Sequence, residues 1–427
     1  MTARAIAYEL LIKAEKSRQY SNIALDSALS KHELSTADKN LVSAIFYGVI
    51  ERRITLDYQI STISSRPTEE IDSNTITALR IGLYQLIYLT RIPHHAAICE
   101  TVELCSKKTK GFVNAILRSF LRRNELALPE KSDMLKYLSV AYSVDIPLLK
   151  MLLETFGENE TERFLTAVNT NPKTTLRVNT LVSDRETLLK NIPSSEPTEI
   201  SPLGISTTGS VRDMYGFFEG AFFVQDEASQ ISTLALDAHP EDLIMDICSC
   251  PGSKSFGAAI EMKNKGKIYS FDLHENKLSL VITGAKRLKI DIIETAQCDG
   301  RNFLPEFEQK ADKVICDVPC SGFGVLAKKP ELRYKDPKES DSLPKIQLAI
   351  LENACKYVKQ GGILLYSTCT VLPKENEENI KAFLSSHPEF DLLPWSVGNL
   401  CAESGRITLL PHLHNTDGFF IAKLIRK

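Results

Sequence analysis

Two cysteines occupy positions from which a side chain can do covalent chemistry. Cys320 lies in Asp317-Val318-Pro319-Cys320-Ser321-Gly322 and Cys369 in Ser367-Thr368-Cys369-Thr370. Each stretch follows a short apolar run, KVICDV or GILLYST, that reads as a strand. A thiolate is suited to reversible addition to an electron-poor carbon. Methylation at carbon 5 of a cytosine calls for such a group, because that carbon cannot attack a methyl sulfonium until a nucleophile has added at carbon 6. The carbon 5 proton must then leave and the thiolate be expelled, which requires a nearby base. Asp317 can hydrogen-bond the N3 edge of the ring and support the charge that develops. Free cysteine is usually a small buried hydrophobe, and that reading is kept for Cys99, Cys105, Cys298, Cys316, Cys355 and Cys401.

A second constellation points to a nucleoside cofactor. The run LIMDIC leads into Cys248, Ser249, Cys250, Pro251, Gly252, Ser253 and Lys254, a turn of small residues opening a helix. Small residues let the backbone approach a ligand, and a helix start offers unpaired N–H groups. The next strand ends at Asp272, where a carboxylate can accept hydrogen bonds from two ribose hydroxyls, and the third at Asp299-Gly300, placed to meet an adenine edge. Each carboxylate alone could be an ordinary cap; three such sites on successive strand ends fit a nucleoside better than any one does. No GxGxxG stretch with nicotinamide spacing is present.

These residues need strands to position them. From about Asp242 the chain alternates apolar strands (LIMDIC, IYSFDL, IIETAQC, KVICDV, GILLYST) with helical or loop segments, which predicts an α/β doubly wound parallel sheet with ligands at its carboxyl ends. If the fourth and fifth strands are neighbours, Cys320 and Cys369 face one cleft. Residues 1 to about 126 read as a helical bundle, from apolar spacings such as Ala7, Leu10, Leu11, Ala14 and Leu79, Leu83, Leu86, Ile87. Its last helix carries Lys107, Lys108, Lys110, Arg118, Arg122 and Arg123 with no acid among them, either a solvated face or a contact for RNA phosphates. Leu126 to Pro147 reads as an irregular connector, and Thr174 to Gln225 as a small β-α-β-β unit. The expected domains are therefore 1–128, 129–235 (linker and accessory sheet) and 236–427.

Bulk properties narrow the class. The chain has 427 residues, a net charge of −3, 43% hydrophobic and 25% charged residues, as in ordinary globular proteins. No apolar stretch approaches the roughly 20 residues of a membrane helix, and the charged start MTARAIAYELLIKAEKS reads as an amphipathic helix, so a cytoplasmic protein without membrane partners is expected. Ten cysteines without paired CxxC knuckles argue against a structural metal. A monomer is the default expectation.

In QDEAS (225–229), DICSCPGSKS (246–255), DVPCSGFGVLAKKPELRY (317–334), STCTVLPKENE (367–377) and DGFFIAKL (417–424), taken in that order, the chain resembles the Sun or RsmB type of bacterial ribosomal RNA cytosine-C5 methyltransferases. The resemblance covers nearly the whole chain, and the bundle, with GFVNAILR at 111–118, is similar to the NusB-type RNA-binding domain of that family. It implies a multidomain protein: an all-α NusB-like bundle, a small α+β, RRM-like accessory domain and a Rossmann-like methyltransferase domain that uses S-adenosyl-L-methionine. By the resemblance Cys369 is the nucleophile, Cys320 assists elimination and product release, residues 248–254 form the cofactor loop, and Asp272, Asp299 and Asp317 complete the cofactor and base sites. The substrate it implies is one cytosine of 16S (small-subunit) ribosomal RNA, modified before the subunit is assembled. Ser249, Cys250 and Ser253 stand where the family has two alanines and a second glycine, and a non-glycine at 253 would be strained if its φ were positive. The same chemistry on transfer RNA, or an assembly factor with a weakened catalytic core, are the alternatives. The NusB-like bundle favours ribosomal RNA, and the presence of both cysteines and Asp317 favours an active enzyme.

Overall fold

The structure, a computed structural model, describes residues 1–17, 22–123, 125–170 and 173–427. The chain divides into two compact units, Met1–Leu165 with Lys329–Asp336, and Thr166–Lys328 with Pro337–Lys427.

The first unit is helical: α1 (Ala3–Ser17), α2 (Asn22–Lys31), α3 (Thr36–Glu51), α4 (Arg53–Ser64), α5 (Ser73–Tyr88), α6 (His94–Glu103), α7 (Lys110–Arg123), α8 (Met134–Tyr142) and α9 (Ile146–Val168), the last crossing into the second unit. Apolar periodicity becomes packing directly. Ala7, Leu10, Leu11 and Ala14 of α1 and Leu79 and Leu83 of α5 join one core with Val113, Ile116, Leu117 and Phe120 of α7. The other side of α7 exposes Arg118, Arg122 and Arg123, and Lys107 and Lys108 just before it are exposed too. Lys110 pairs with Glu103 at 2.7 Å.

The expected connector at Leu126–Pro147 is irregular up to Asp133 but then carries the helix α8 and the start of α9. Asp133 caps α8 by accepting from the Lys136 N–H, Leu138 and Val140 are buried, and Pro147 sits in the first turn of α9, where its missing N–H leaves no helical bond unmade. Of the residues that suggested a loop, Pro147 thus marks a helix entry. Lys329–Asp336, the end of the DVPCSGFGVLAKKPELRY stretch, also belongs to this unit. The Tyr334 hydroxyl donates to the Ile50 carbonyl at 2.7 Å and accepts from the Arg53 N–H at 3.1 Å, while the Arg53 guanidinium lies 3.9 Å from the ring centroid.

The second unit contains two main sheets. In the small one, β1 (Thr174–Val178), β2 (Glu196–Pro197), β3 (Gly204–Thr207) and β4 (Phe222–Val224) run antiparallel in the order β2-β3-β1-β4, with α10 (Arg185–Asn191) packed on one face through Leu188. This sheet is tied to the large one: the Asn179 carboxamide donates to the Leu288 carbonyl at 2.9 Å, and buried Arg177 reaches Glu261 at 3.1 Å.

The large sheet has β5 (Leu243–Asp246), β6 (Lys267–Asp272), β7 (Ile293–Gln297), β8 (Ala311–Asp317) and β9 (Val358–Thr368) as a parallel core in the order β7-β6-β5-β8-β9. Helices α11 (Glu227–Ala235), α12 (Ser253–Glu261), α13 (Glu275–Arg287), α14 (Leu343–Ala354) and α15 (Glu377–Ser386) accompany it. The chain then adds β10 (Phe390–Leu392), the hairpin β11 (Trp395–Val397) and β12 (Leu400–Ala402), β13 (Arg406–Leu409) and β14 (Phe419–Arg426). The expectation of a purely parallel sheet is corrected here. β14 pairs antiparallel with β9, and β10 and β13 pair antiparallel with β14. The near-continuous apolar run FFIAKLIR covers the open edge of β9, whose backbone groups would otherwise be unpaired.

Candidate active site

The carboxyl ends of the parallel strands bring the sequence-predicted residues to one edge. β8 and β9 are neighbours in register Asp317↔Ser367, so the turns after them leave the sheet side by side. Cys320 Sγ and Cys369 Sγ are 3.1 Å apart, and the Cys369 N–H donates to Cys320 Sγ at 3.2 Å. The hydrogen bond to Cys369, reinforced by burial, holds the Cys320 thiol well above the ordinary thiol range.

Asp317 is held from two sides: Oδ1 accepts from Ser367 Oγ at 2.7 Å and Oδ2 from Lys254 Nζ at 2.6 Å. Lys254 is 5% exposed, also donates to Ser229 Oγ at 3.1 Å, and lies 5.0 Å from the Phe419 ring centroid. An ammonium this buried is tolerated because the carboxylate and the hydroxyl replace its water shell. Composition placed Lys254 in the cofactor loop; the fold links it to the β8 carboxylate.

Behind the cysteines a buried network fixes both turns. Glu375 Oε2 accepts from the Ser321 N–H at 2.9 Å and from Gln347 Nε2 at 2.7 Å, and Gln347 also donates to the Pro319 carbonyl at 3.0 Å. Asn376 accepts from Thr368 Oγ1 at 2.5 Å and donates to the Thr370 carbonyl at 3.0 Å. One pair of consecutive residues therefore grips the residues flanking Cys320 and those flanking Cys369. Sequence reasoning quoted the KENE stretch only as a family motif. Its one local signal was a run of polar residues between a strand and a helix.

At the cofactor end, β5 leads through Cys248, Ser249, Cys250 and Pro251 into α12. Gly252 takes φ 107°, and a Cβ there would come within 2.5 Å of the Phe256 ring. Ser253 is the first residue of the helix and carries no positive φ, so the strain considered for it does not arise. Burial, with Asp272 nearby, pushes the Cys250 thiol to about 12, and burial raises Cys248 well above its ordinary value. Asp272, ending β6, accepts the His274 N–H at 2.9 Å. Asp299 follows β7 and pairs with Arg301 at 2.5 Å, which holds its carboxyl below the usual range. Asp246, which composition did not single out, is 1% exposed with Oδ2 on Ser255 Oγ at 2.6 Å. Its Oδ1 and the Ser249 hydroxyl are buried without partners. Burial above all pushes the Asp246 carboxyl to about 7.

A parallel five-stranded core with carboxylates, a small-residue turn and two thiols at its carboxyl edge defines a methyltransferase of the Rossmann-like class. Sequence comparison gives the same class and a narrower one. Residues 233–425 match the profile of 16S rRNA methyltransferase RsmB/F, residues 1–122 that of the NusB family, and residues 148–204 the ferredoxin-like domain of RsmF/B-like methyltransferases. The Bacillus subtilis (strain 168) protein named probable ribosomal RNA small subunit methyltransferase B is 36% identical, over 100% of this chain and 99% of its own. Ribosomal RNA small subunit methyltransferase B of Escherichia fergusonii is 32% identical, over 93% of this chain and 92% of its own. The crystal structure of PH0851 superposes with a TM-score of 0.80 at 29% identity, covering 100% of this chain and 99% of that one. The chain belongs to the RsmB/F family of 16S rRNA methyltransferases. The expectations of a helical NusB-type bundle, a small α+β unit and a Rossmann-like domain hold, with the sheet mixed and the accessory unit ferredoxin-like.

Proposed function

We propose that this protein methylates carbon 5 of one cytosine in small-subunit ribosomal RNA, with S-adenosylmethionine as methyl donor, through a covalent bond between Cys369 and carbon 6. The observation that carries the reading is the meeting of the Cys320 and Cys369 sulfurs beside the Lys254–Asp317 pair. Such a cluster suits addition, methyl transfer and elimination on one ring.

The residues present fit the donor. Asp246 Oδ1 and Ser249 Oγ, at the end of β5 and in the turn after it, are buried polar atoms without partners, and Asp272 and Asp299 follow at the ends of the next strands. Residues 248–254 with Asp246, Asp272 and Asp299 would hold it, and when bound it supplies an electrophilic methyl group on sulfonium sulfur. Asp317 steadies the pyrimidine by accepting from its 4-amino group and from an N3–H once N3 is protonated, its own position fixed by Lys254 and Ser367. Cys369 Sγ forms a bond to carbon 6, and the ring's double-bond pair moves to carbon 5, which takes the methyl group. A base then removes the carbon 5 proton, the pair restores the double bond, and the carbon–sulfur bond breaks to return the thiolate. Cys320, whose sulfur lies 3.1 Å from that of Cys369, is placed to assist the elimination half and product release.

The target base must leave any stack to reach this edge. The exposed basic side of α7 supplies phosphate contacts that hold RNA without reading it. We assign these roles to domains divided near 128 and 235. No helix among the described residues is long and apolar enough to cross a membrane, and we place the enzyme in the cytoplasm, acting as a monomer on RNA not yet assembled into a subunit.

The test is transfer of tritium from labelled S-adenosylmethionine to protein-free small-subunit RNA, with the product mapped by bisulfite sequencing. Signal at one cytosine, lost in Cys369→Ala, is expected. Cys320→Ala should accumulate a protein–RNA adduct that survives denaturation. Turnover retained by Cys369→Ala would remove that residue from the nucleophile role, and no transfer to ribosomal RNA by wild type would redirect the search to transfer RNA.

A further inference from the structure

Within the second unit, next to the catalytic edge, lies a cavity of about 460 Å³ that none of the roles above uses. Its volume falls in the roughly 300–1,000 Å³ range of small-ligand sites. It is lined in part by Asp226, Lys328, Asn415 and Asp417, from motifs the chemistry above leaves idle. The Lys328 ammonium bridges the Asp226 and Asp417 carboxylates, at 2.9 Å from the latter.

The cavity is bound to the cleft through short backbone links. The Gly418 N–H donates to the Gly324 carbonyl at 2.8 Å, and the Gly324 N–H donates to the Cys369 carbonyl at 3.0 Å. A Cβ on Gly324 would lie 1.9 Å from the Gly418 oxygen, so no side chain can separate the two. Asp417 is thus one residue from a contact that holds the Cys369 turn. Asp226, which accepts from the Asp417 N–H at 3.2 Å, caps α11, whose Ser229 Oγ accepts from Lys254 Nζ at 3.1 Å. Asp417 and the Cys369 turn are thus linked through two backbone hydrogen bonds, by way of Gly418 and Gly324.

The charge of the lining selects which part of that nucleotide can enter. One ammonium serves two aspartates, and the other lysine of the lining, Lys173, is already paired with Glu196. The surplus is acidic, so a phosphate would be repelled and a group rich in N–H donors favoured. Guanine offers two adjacent donors, N1–H and the 2-amino group, in the spacing that a carboxylate accepts as a pair.

We infer that this cavity receives a guanine next to the target cytosine in the RNA and reads its donor edge through Asp417, with Asp226 and Lys328 fixing that carboxylate. The inference rests on the RNA-methylating function proposed above.

The test uses the full-length enzyme and short RNA fragments carrying the mapped cytosine, with each flanking nucleotide replaced in turn and guanine also replaced by inosine. Wild type should prefer guanine at one flanking position, and inosine there should lower kcat/KM about tenfold, as expected for a lost base-edge hydrogen bond. Asp417→Asn should reduce that preference to below about threefold while still methylating the same cytosine and forming the adduct. Asp226→Asn, which keeps a helix-capping side chain, should weaken the preference in the same direction and serves if Asp417→Asn unfolds. Absence of any flanking preference in wild type overturns the inference, as does an equal loss by the variants on every fragment. Failure of the RNA reading shows itself differently, as no transfer by wild type to any fragment, and it removes this inference with it.

Discussion

At the scale of single residues, two cysteines of the ten are distinguished by what they touch. Cys316 and Cys355 are buried thiols whose values burial raises, whereas Cys320 is raised first by its contact with Cys369. The same logic marks Asp246. Its folded value of about 7 against the usual 3.8 means that the folded state holds an extra proton between those values. Its contribution to stability is therefore full below about pH 4 and lost as pH rises through about 7. Asp246→Asn should flatten the fall of Tm between pH 4 and pH 8. A slope identical to wild type would show that the carboxyl is solvated in the folded protein. Because Asp417 is also pushed up to about 7, by burial and then by Asp226, part of the slope should persist in the variant.

At the scale of elements, the site depends on β8 and β9 being neighbours and on one connector holding both of their turns. Glu375→Ala should cost about 2–4 kcal/mol, since it strands the Ser321 N–H and the Gln347 carboxamide in a buried network. Calorimetry should record that loss as a lowered Tm of the second unit. Glu375→Gln keeps the shape, and its amide nitrogen can only face the Ser321 N–H unfavourably if it occupies the Oε2 position. Methylation slowed in Glu375→Gln with normal RNA binding and a near-native Tm would show that the clamp positions Cys320. Full activity in this variant would show that packing alone holds the turn. Individual elements were readable in the sequence: the five apolar runs that became the parallel core, the helix after the small-residue turn, and the apolar spacings of α1 and α5. Leu126–Pro147 was misread because proline is as much at home in a helix's first turn as in a loop, and only the burial of Leu138 and Val140 decides between them.

At the scale of the whole molecule, the chain forms two units, and Lys329–Asp336 contributes to the first although its neighbours in sequence on both sides belong to the second. Tyr334→Phe removes a hydroxyl that donates to Ile50 and accepts from Arg53, and should lower the stability of the first unit by about 1–3 kcal/mol. The ring and its stacked guanidinium would remain. A calorimetric transition at the wild-type Tm would show that the hydroxyl's bonds exchange with water at no cost. The sequence by itself determined the class of fold, the strand ends where ligands belong, and the residue types fit for covalent chemistry, because apolar period and turn chemistry are local and survive in one dimension. It did not contain the reversal of β14 against β9, the meeting of Lys254 with Asp317, the grip of Glu375 on Ser321 or the meeting of Asp226 with Asp417 at the cavity. Those join residues up to 191 positions apart, as in the bond from the Asp417 N–H to Asp226. Such pairings have no local signature; they exist only once burial of the sheet's two faces has fixed which turns stand side by side.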